Sequence, residues 1–336
     1  MIRSAPNAFR NTACTPFGRN MAEHPQHVAV VTGATGGIGT AIVHRLVVGG
    51  AVVIAQYASN SDRASKLQRE VGELGGTCSM VQADLRTEEG VGQLVDSVDD
   101  LLRSQPTHAL HALVNNAAKL LGPSFSDATP AQFDEYFALN VKAPFFLTQR
   151  LVTRMHPGGS IVNVSSAGAH FSSPGDIVYA MSKAAIESLT MNAAEWLATR
   201  AIRINTVIPG FTDNGHSAFR IDEVREYLST FAVLGGISDP ETVAEAVAFL
   251  LSAHASRTTG ATLDVSGGST LGARPAPHLS LRAMAANRSI DQPGTGGNQG
   301  AERSDEDSIV YEQDAGRALT IWPARPAPHQ GSPDPQ

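Results

Sequence analysis

The sequence predicts an α/β fold: a doubly wound parallel sheet of about seven strands with helices on both faces. Three observations carry that expectation. Short β-branched runs alternate with longer segments of helical period, most of the short runs are apolar throughout, and a glycine-rich turn follows the first of them. Strands that are apolar on both faces belong in a sheet covered on each side, and repeated β-α units wind such a sheet with right-handed crossovers.

The elements follow in order. Residues 27–31 form the first strand, the glycine turn spans 32–39, and a helical pattern begins at Thr40. Further strands are expected at 52–57, 77–82, 109–114, 160–164, 203–208 and 262–265. The spacers at 61–74, 88–102, 130–155, 178–199 and 240–253 have the helical period and the length that crossover helices need. One domain over residues 27–272 is the natural reading. Residues 1–26 carry Arg3, Arg10 and Arg19 with no acid before Glu23, a pattern with a faint likeness to an organellar transit peptide. No apolar stripe accompanies the arginines, so a disordered extension is the simpler expectation. Residues 273–336 hold eight of the chain's 19 prolines and read as a disordered Pro/Gly-rich tail; Arg-Pro-Ala-Pro-His occurs there twice, at 274–278 and 325–329.

Composition excludes several functions. The chain has 336 residues and a formal net charge of −7, which offers no basic footprint for nucleic acid. No apolar run approaches the roughly 20 residues that span a bilayer. The two cysteines, Cys14 and Cys78, make a disulfide framework or a cysteine-based zinc site improbable and fit a reducing, cytoplasmic setting; no metal is expected.

The first strand ends in Thr32-Gly33-Ala34-Thr35-Gly36-Gly37-Ile38-Gly39. A strand, a glycine turn and a helix start make a dinucleotide site of the Rossmann kind. Gly33 permits the turn, Gly37 lets backbone approach the pyrophosphate, and Gly39 lets the helix pack on the strand. The phosphates then meet the unpaired N–H groups and the dipole of a helix N-terminus. After the second strand the chain reads Tyr57-Ala58-Ser59-Asn60-Ser61-Asp62-Arg63, with no acid at the strand end to grip the ribose diol of NAD. Ser59, Asn60 and Arg63 are placed to donate to a 2′-phosphate, so NADP(H) is favoured over NAD(H).

Tyr179 and Lys183 are four residues apart in a helical stretch and share one helix face. A nearby ammonium stabilises a phenolate, so Tyr179 is expected to titrate below the ordinary tyrosine value near 10 and to act as general acid and base. The strand at 160–164 runs into Ser165-Ser166, and Asn115-Asn116-Ala117-Ala118 follows another strand at the same carboxyl edge, where ligands bind such sheets. Asn140 lies in a helix with Pro144 four positions later. Proline has no N–H, so the Asn140 carbonyl loses its usual partner, the helix kinks, and the carbonyl is left to accept a bond from water.

With these motifs the chain resembles the short-chain dehydrogenase/reductase family, in the compact single-domain branch of the 3-oxoacyl-carrier-protein reductases. The matching residues are Thr-Gly-x-x-x-Gly-Ile-Gly at 32–39, Asp84-Leu85, Asn-Asn-Ala-Ala at 115–118, Asn140, Ser166, Tyr179-x-x-x-Lys183, Pro209-Gly210 and Asp264-Val265-Ser266-Gly267-Gly268, spread over nearly three quarters of the chain. The resemblance implies a role for each. Ser166 bonds the substrate oxygen, with Ser165 the less favoured candidate. Tyr179 is the acid/base, Lys183 holds the nicotinamide ribose and lowers the tyrosine pKa, and Asn140 anchors a relay water. Asp84 meets the adenine with Leu85 beside it, Asn116 and Ala117 lie along the cofactor, and Pro209, Gly210 and Thr212 border the nicotinamide. Gly36 departs from relatives that place a base there, as does Gly236 from those with an arginine.

The implied reaction is hydride transfer between a nicotinamide cofactor and a carbonyl or secondary alcohol. The alternative is a regulator that binds NADP(H) on the same fold without turnover; an epimerase or dehydratase is disfavoured by the short region after Pro209. Residues 211–236 form a lid of mixed apolar character, with His216 a candidate substrate contact. Relatives assemble through the helices at 130–155 and 178–199, which implies a homo-oligomer.

Overall fold

The computed structural model describes residues 26–215 and 217–271. The expected extensions at 1–26 and 273–336 lie outside the described residues, apart from Gln26, as do Cys14 and His216. Seven parallel strands form one sheet: β1 (Gln26–Val31), β2 (Val52–Tyr57), β3 (Cys78–Gln82), β4 (His108–Asn115), β5 (Met155–Val164), β6 (Arg203–Pro209) and β7 (Thr262–Val265), in the order β3-β2-β1-β4-β5-β6-β7. The order reverses between β1 and β4, so a crevice opens above their carboxyl ends.

Side chains alternate across this sheet as a strand requires. Ala29 and Val31 of β1 pack with α1 (Gly37–Val48), α2 (Ser61–Glu73) and α8 (Pro240–Leu251) on one face. Val28 and Val30 pack on the other face with α3 (Glu88–Ser104), α5 (Ala143–Leu151) and α6 (Ile177–Ala198). Both faces are covered, which is why the strands read as continuous apolar runs.

Several polar residues inside these runs bond one another across the sheet. Asn115 at the end of β4 donates to Asn163 Oδ1 at 2.8 Å, and Asn163 donates to Thr190 Oγ1 at 2.8 Å. Thr190 in turn shares a 2.7 Å hydroxyl contact with Thr206 of β6. This network crosses β4, β5, α6 and β6 and fixes the rotation of α6 against the sheet.

Three expectations need correction. The helix expected over 130–155 is three pieces: α4 (Pro130–Phe137), a π turn at Ala138–Lys142, and α5, followed by a short 3₁₀ turn. The break lies at Pro144, and the Ala143 N–H reaches back to the Ala138 carbonyl. Strand β5 starts at Met155, five residues before the expected start at Ser160. Helix α1 starts at Gly37 instead of Thr40, because the glycines themselves form its first turn. The remaining boundaries agree within two residues.

The segment after β6 leaves and returns at one point. Thr212 bridges Ser238, and the Ser238 N–H donates to the Phe211 carbonyl at 2.9 Å. The excursion between them carries α7 (Asp222–Ser229) and its own small core of Phe219, Val224 and Leu228. It is thus a packed cover rather than an open loop. Gly236 has φ of +79°, which explains a glycine there better than the lack of an arginine does.

Candidate active site

The glycine turn is held by residues around it. Thr32 Oγ1 accepts from the Asn116 and Ala117 N–H groups, both at 3.0 Å, and Asn116 Nδ2 donates back to the Thr32 and Gly33 carbonyls. Gln56 Oε1 accepts from the Gly33 N–H at 2.8 Å, while its Nε2 donates to the Ala83 carbonyl at 2.7 Å. The side chains of Thr32 and Asn116, expected on the cofactor, are therefore engaged in joining β1 to β4. Gln56 was not anticipated, although one polar residue inside an otherwise apolar β2 is a visible signal.

What faces outward is the start of α1. Helices α2, α3, α4 and α8 are capped by the side chains of Asn60, Thr87, Thr129 and Asp239, whereas α1 has no side-chain cap and no acid in its first turn. The N–H groups of Gly37, Ile38 and Gly39 belong to that uncapped turn, beside exposed Gly36 and partly buried Thr35. Such a turn can hold an anion.

Gly39 is needed for close packing: a Cβ there would lie 2.2 Å from the Gly33 carbonyl oxygen. The reading of Gly37 changes. A Cβ on Gly37 would lie 2.7 Å from Asn214 Cα, so the cover after β6 lies against the glycine turn at this point.

At the far end of the crevice, Tyr57, Ser59, Asn60 and Arg63 gather at the β2–α2 junction. Asn60 Oδ1 accepts from the Arg63 N–H at 2.8 Å, and the Arg63 side chain is exposed. Asp84 follows β3, but its carboxylate is gripped by Arg86 (2.8 Å to Oδ2), which holds it below the usual carboxylate range; Arg86 continues to Glu135, and Glu135 to Lys119. Leu85 is buried under this loop. Pro209 is buried at the end of β6 and Thr212 is buried just beyond it, and Gly210 is pressed against Ser266, whose carbonyl oxygen would lie 2.7 Å from a Cβ.

The structure brings Ser166, Tyr179 and Lys183 together at the carboxyl end of β5. Ser166 Oγ accepts from the Gly168 N–H at 3.1 Å and bonds the Tyr179 hydroxyl. Lys183 is 3% exposed; its Nζ donates to the Val164 carbonyl at 2.8 Å and lies 5.8 Å from the Tyr179 ring centre. Ser165 turns away, to the Lys183 carbonyl and to Glu187. Asn140 is buried. Its Oδ1 accepts from the Lys119 N–H at 2.8 Å, and its Nδ2 donates to Ser182 Oγ at 2.9 Å, so its side chain joins the β4–α4 loop to the turn between Tyr179 and Lys183.

The expected depression of the Tyr179 pKa is not what the geometry gives. Burial pushes the phenol up to about 12, eased by the Ser166 bond and raised further by the charge of Asp176. Lys183 faces the Val164 carbonyl rather than the phenol oxygen, and burial brings it down to about 8, opposed by Glu187. Tyr179 thus holds its proton firmly at neutral pH, as a donor must.

Asp176, just before α6, was also missed. Burial pushes its carboxyl up to about 6, against a bond from the Gly122 backbone. A folded-state value above the unfolded one means that the native state binds the proton more tightly. Stability from this group is present below about pH 4 and is lost as pH rises through 6. Asp176→Asn keeps an acceptor for Gly122 and removes the buried charge. The expected result is a gain of about 1–2 kcal/mol at pH 8, discounted for partial exposure, and none at pH 3.5. Thermal melts at the two pH values check it.

Comparison with known proteins agrees with this geometry. The family model described as enoyl-(acyl carrier protein) reductase matches residues 33–270. The 3-oxoacyl-[acyl-carrier-protein] reductase FabG of Aquifex aeolicus is 31% identical over 244 residues, 72% of this chain and 96% of that protein. The chain belongs to the short-chain dehydrogenase/reductase family. Solved structures of family members superpose on it: the angucycline C-6 ketoreductase LanV with bound NADP (39% identity, TM-score 0.70, 74% of this chain and all of that one) and the promiscuous reductase LugOII, which catalyses keto-reduction at C1 during lugdunomycin biosynthesis (37%, TM-score 0.71, 73% and 98%).

Proposed function

We propose that this oxidoreductase uses NADP(H) to reduce a ketone on a bulky, largely apolar scaffold, with Tyr179 as the proton donor. The observation that carries the reading is the convergence of Ser166, Tyr179 and Lys183 beside an uncapped helix start on one sheet edge. Bound there, NADP(H) supplies the hydride. The α1 N–H groups would hold its phosphates, Ser59 and Arg63 the 2′-phosphate, and Lys183 the ribose. Asp84, Leu85, Ala117, Pro209, Gly210 and Thr212 would line its path. Ser166 and Tyr179 hold the substrate oxygen from one side, and Tyr179 gives it a proton. The Asn140 carbonyl, deprived by Pro144 of an i+4 donor, would anchor the water that returns a proton by way of Lys183.

The scaffold is read from the cover. Phe231 touches Phe171, Phe211 and Tyr227 with ring centres 5.0–5.8 Å apart, joining the loop after Ser166 to the segment after Gly210. Such an aromatic wall suits ring systems, and of the relatives LanV is an angucycline C-6 ketoreductase and LugOII catalyses keto-reduction at C1 during lugdunomycin biosynthesis.

The test is a titration with NADPH and NADH followed by a panel of polycyclic ketones, 3-oxoacyl thioesters and sugars. Ketone-dependent loss of nicotinamide absorbance supports the reading. Binding without any turnover supports a nucleotide-sensing regulator instead. Arg63→Ala is expected to raise the KM for NADPH about tenfold and leave that for NADH unchanged. Equal effects on both would reject the 2′-phosphate role.

The same reading takes the protein to be a cytoplasmic homo-oligomer. Phe133, Phe145, Met191 and Trp196 are exposed on α4, α5 and α6, and Cys78 is a buried free thiol, pushed up to about 12 by burial. Among the described residues no helix is long and apolar enough to cross a membrane. Light scattering on the eluting protein decides the assembly.

A further inference from the structure

A buried ammonium needs compensation, because an uncompensated charge in the interior loses its proton or destabilises the fold. Lys183 is such a group. Its bonded partner is the neutral Val164 carbonyl, and Tyr179 beside it holds its proton. The carboxylate that acts on it is Glu187, one turn further along the same face of α6.

Glu187 does not point freely into solvent. Ser165 Oγ, buried at the end of β5, donates to Glu187 Oε1 at 2.5 Å. His170, in the turn that follows Ser166, places Nε2 3.0 Å from each carboxylate oxygen. The same Ser165 Oγ lies 3.2 Å from the Lys183 carbonyl oxygen, so the anchor of the carboxylate sits against the backbone of the lysine.

We propose that Glu187, clamped by Ser165 and His170, is a positioning residue that supplies the counter-charge keeping Lys183 protonated inside the site. The assignment rests on the reading of Lys183 as part of the catalytic set. It explains why the serine next to Ser166 turns away from the cleft: Ser166 serves the substrate side and Ser165 serves the lysine side. Lys183 is faced by Tyr179 and Glu187 from α6 and by the Val164 carbonyl from β5. Glu187 is faced by Ser165 and His170, and His170 in turn lies within electrostatic reach of Asp264.

The test reads the lysine directly, without nucleotide or substrate. Lys66, Lys119, Lys142 and Lys183 are the chain's lysines, so protein labelled with 13C at the lysine ε-carbon gives a simple spectrum, and the Lys183 signal is assigned by its loss in Lys183→Met. In Glu187→Gln, which keeps bonds to Ser165 and His170, the Lys183 midpoint is expected to fall by about one pH unit, a tenfold loss of proton affinity. The alkaline limb of kcat/KM moves down with it, and Glu187→Asp restores part of the shift. Should Glu187→Gln not fold, Glu187→Met removes the same charge and is expected to give the same fall. A midpoint unmoved in either folded variant overturns the proposal. Because the midpoint is read without turnover, that result stands apart from failure of the reductase reading, which shows as no hydride transfer in the unmodified protein.

Discussion

Tyr179→Phe binds NADPH as the parent does and reduces its ketone at least a thousandfold more slowly. The ring is kept, so the packing of Tyr179 against the Gly122 backbone and Gly168 survives. What is lost is one hydroxyl, with its bond to Ser166 and the proton it holds ready for a developing alkoxide. Positioned general acids contribute roughly a hundredfold to ten-thousandfold. A loss near the upper end is expected because Lys183, the other nearby proton donor, is turned to the Val164 carbonyl. Burial, which pushes the phenol up to about 12, keeps Tyr179 protonated at neutral pH, the form that a proton donor needs. Single-turnover kinetics with NADPH, alongside a fluorescence titration of nucleotide binding, measures both halves. Turnover within tenfold of the parent would remove Tyr179 from the mechanism.

Much of this site was legible in the residues because the fold leaves few choices. Strands apolar on both faces must be interior, and an interior parallel sheet places every strand-to-helix turn on one edge. Tyr179 and Lys183 four apart, Ser166 just past β5 and the glycine turn just past β1 therefore had to converge. The sequence also showed where α4 and α5 would be disturbed, since Pro144 cannot donate, but not that the backbone would widen into a π turn and resume as a separate helix. Helix α7 was missed because eight residues with two buried side chains, Val224 and Leu228, make too short an apolar pattern to stand out from a loop.

The electrostatics were the least legible. An ammonium four residues from a phenol predicts a lowered pKa only if the two polar atoms meet and water is near. Here burial dominates for both groups, and the carboxyl of Asp176 adds to it. None of that is encoded in spacing. The contact of Asn214 with Gly37 is hidden for the same reason: it joins positions far apart in the chain, through a cover whose path no local pattern specifies.

Gly39→Ala carries the largest expected structural effect and separates packing from ligand contact in the glycine turn. Its added methyl would lie 2.2 Å from the Gly33 carbonyl oxygen and 2.9 Å from both Ala34 Cα and Asn116 Nδ2. Two of these are backbone, and the third is already bonded to the Thr32 and Gly33 carbonyls, so none can move alone. Helix α1 has to shift away from β1, which costs about 3 kcal/mol or more by overpacking and pulls the uncapped N–H groups out of line. The expected outcome is a melting temperature lower by roughly 6–12 °C and NADPH affinity down at least a hundredfold. Gly36→Ala is the control. Its Cβ meets nothing nearer than 3.5 Å, and its φ of −79° suits any residue, so the fold is kept. If Gly39→Ala melted with the control, the close approach of α1 to β1 would not be what places the anion site, and the argument from the uncapped helix would fail with it.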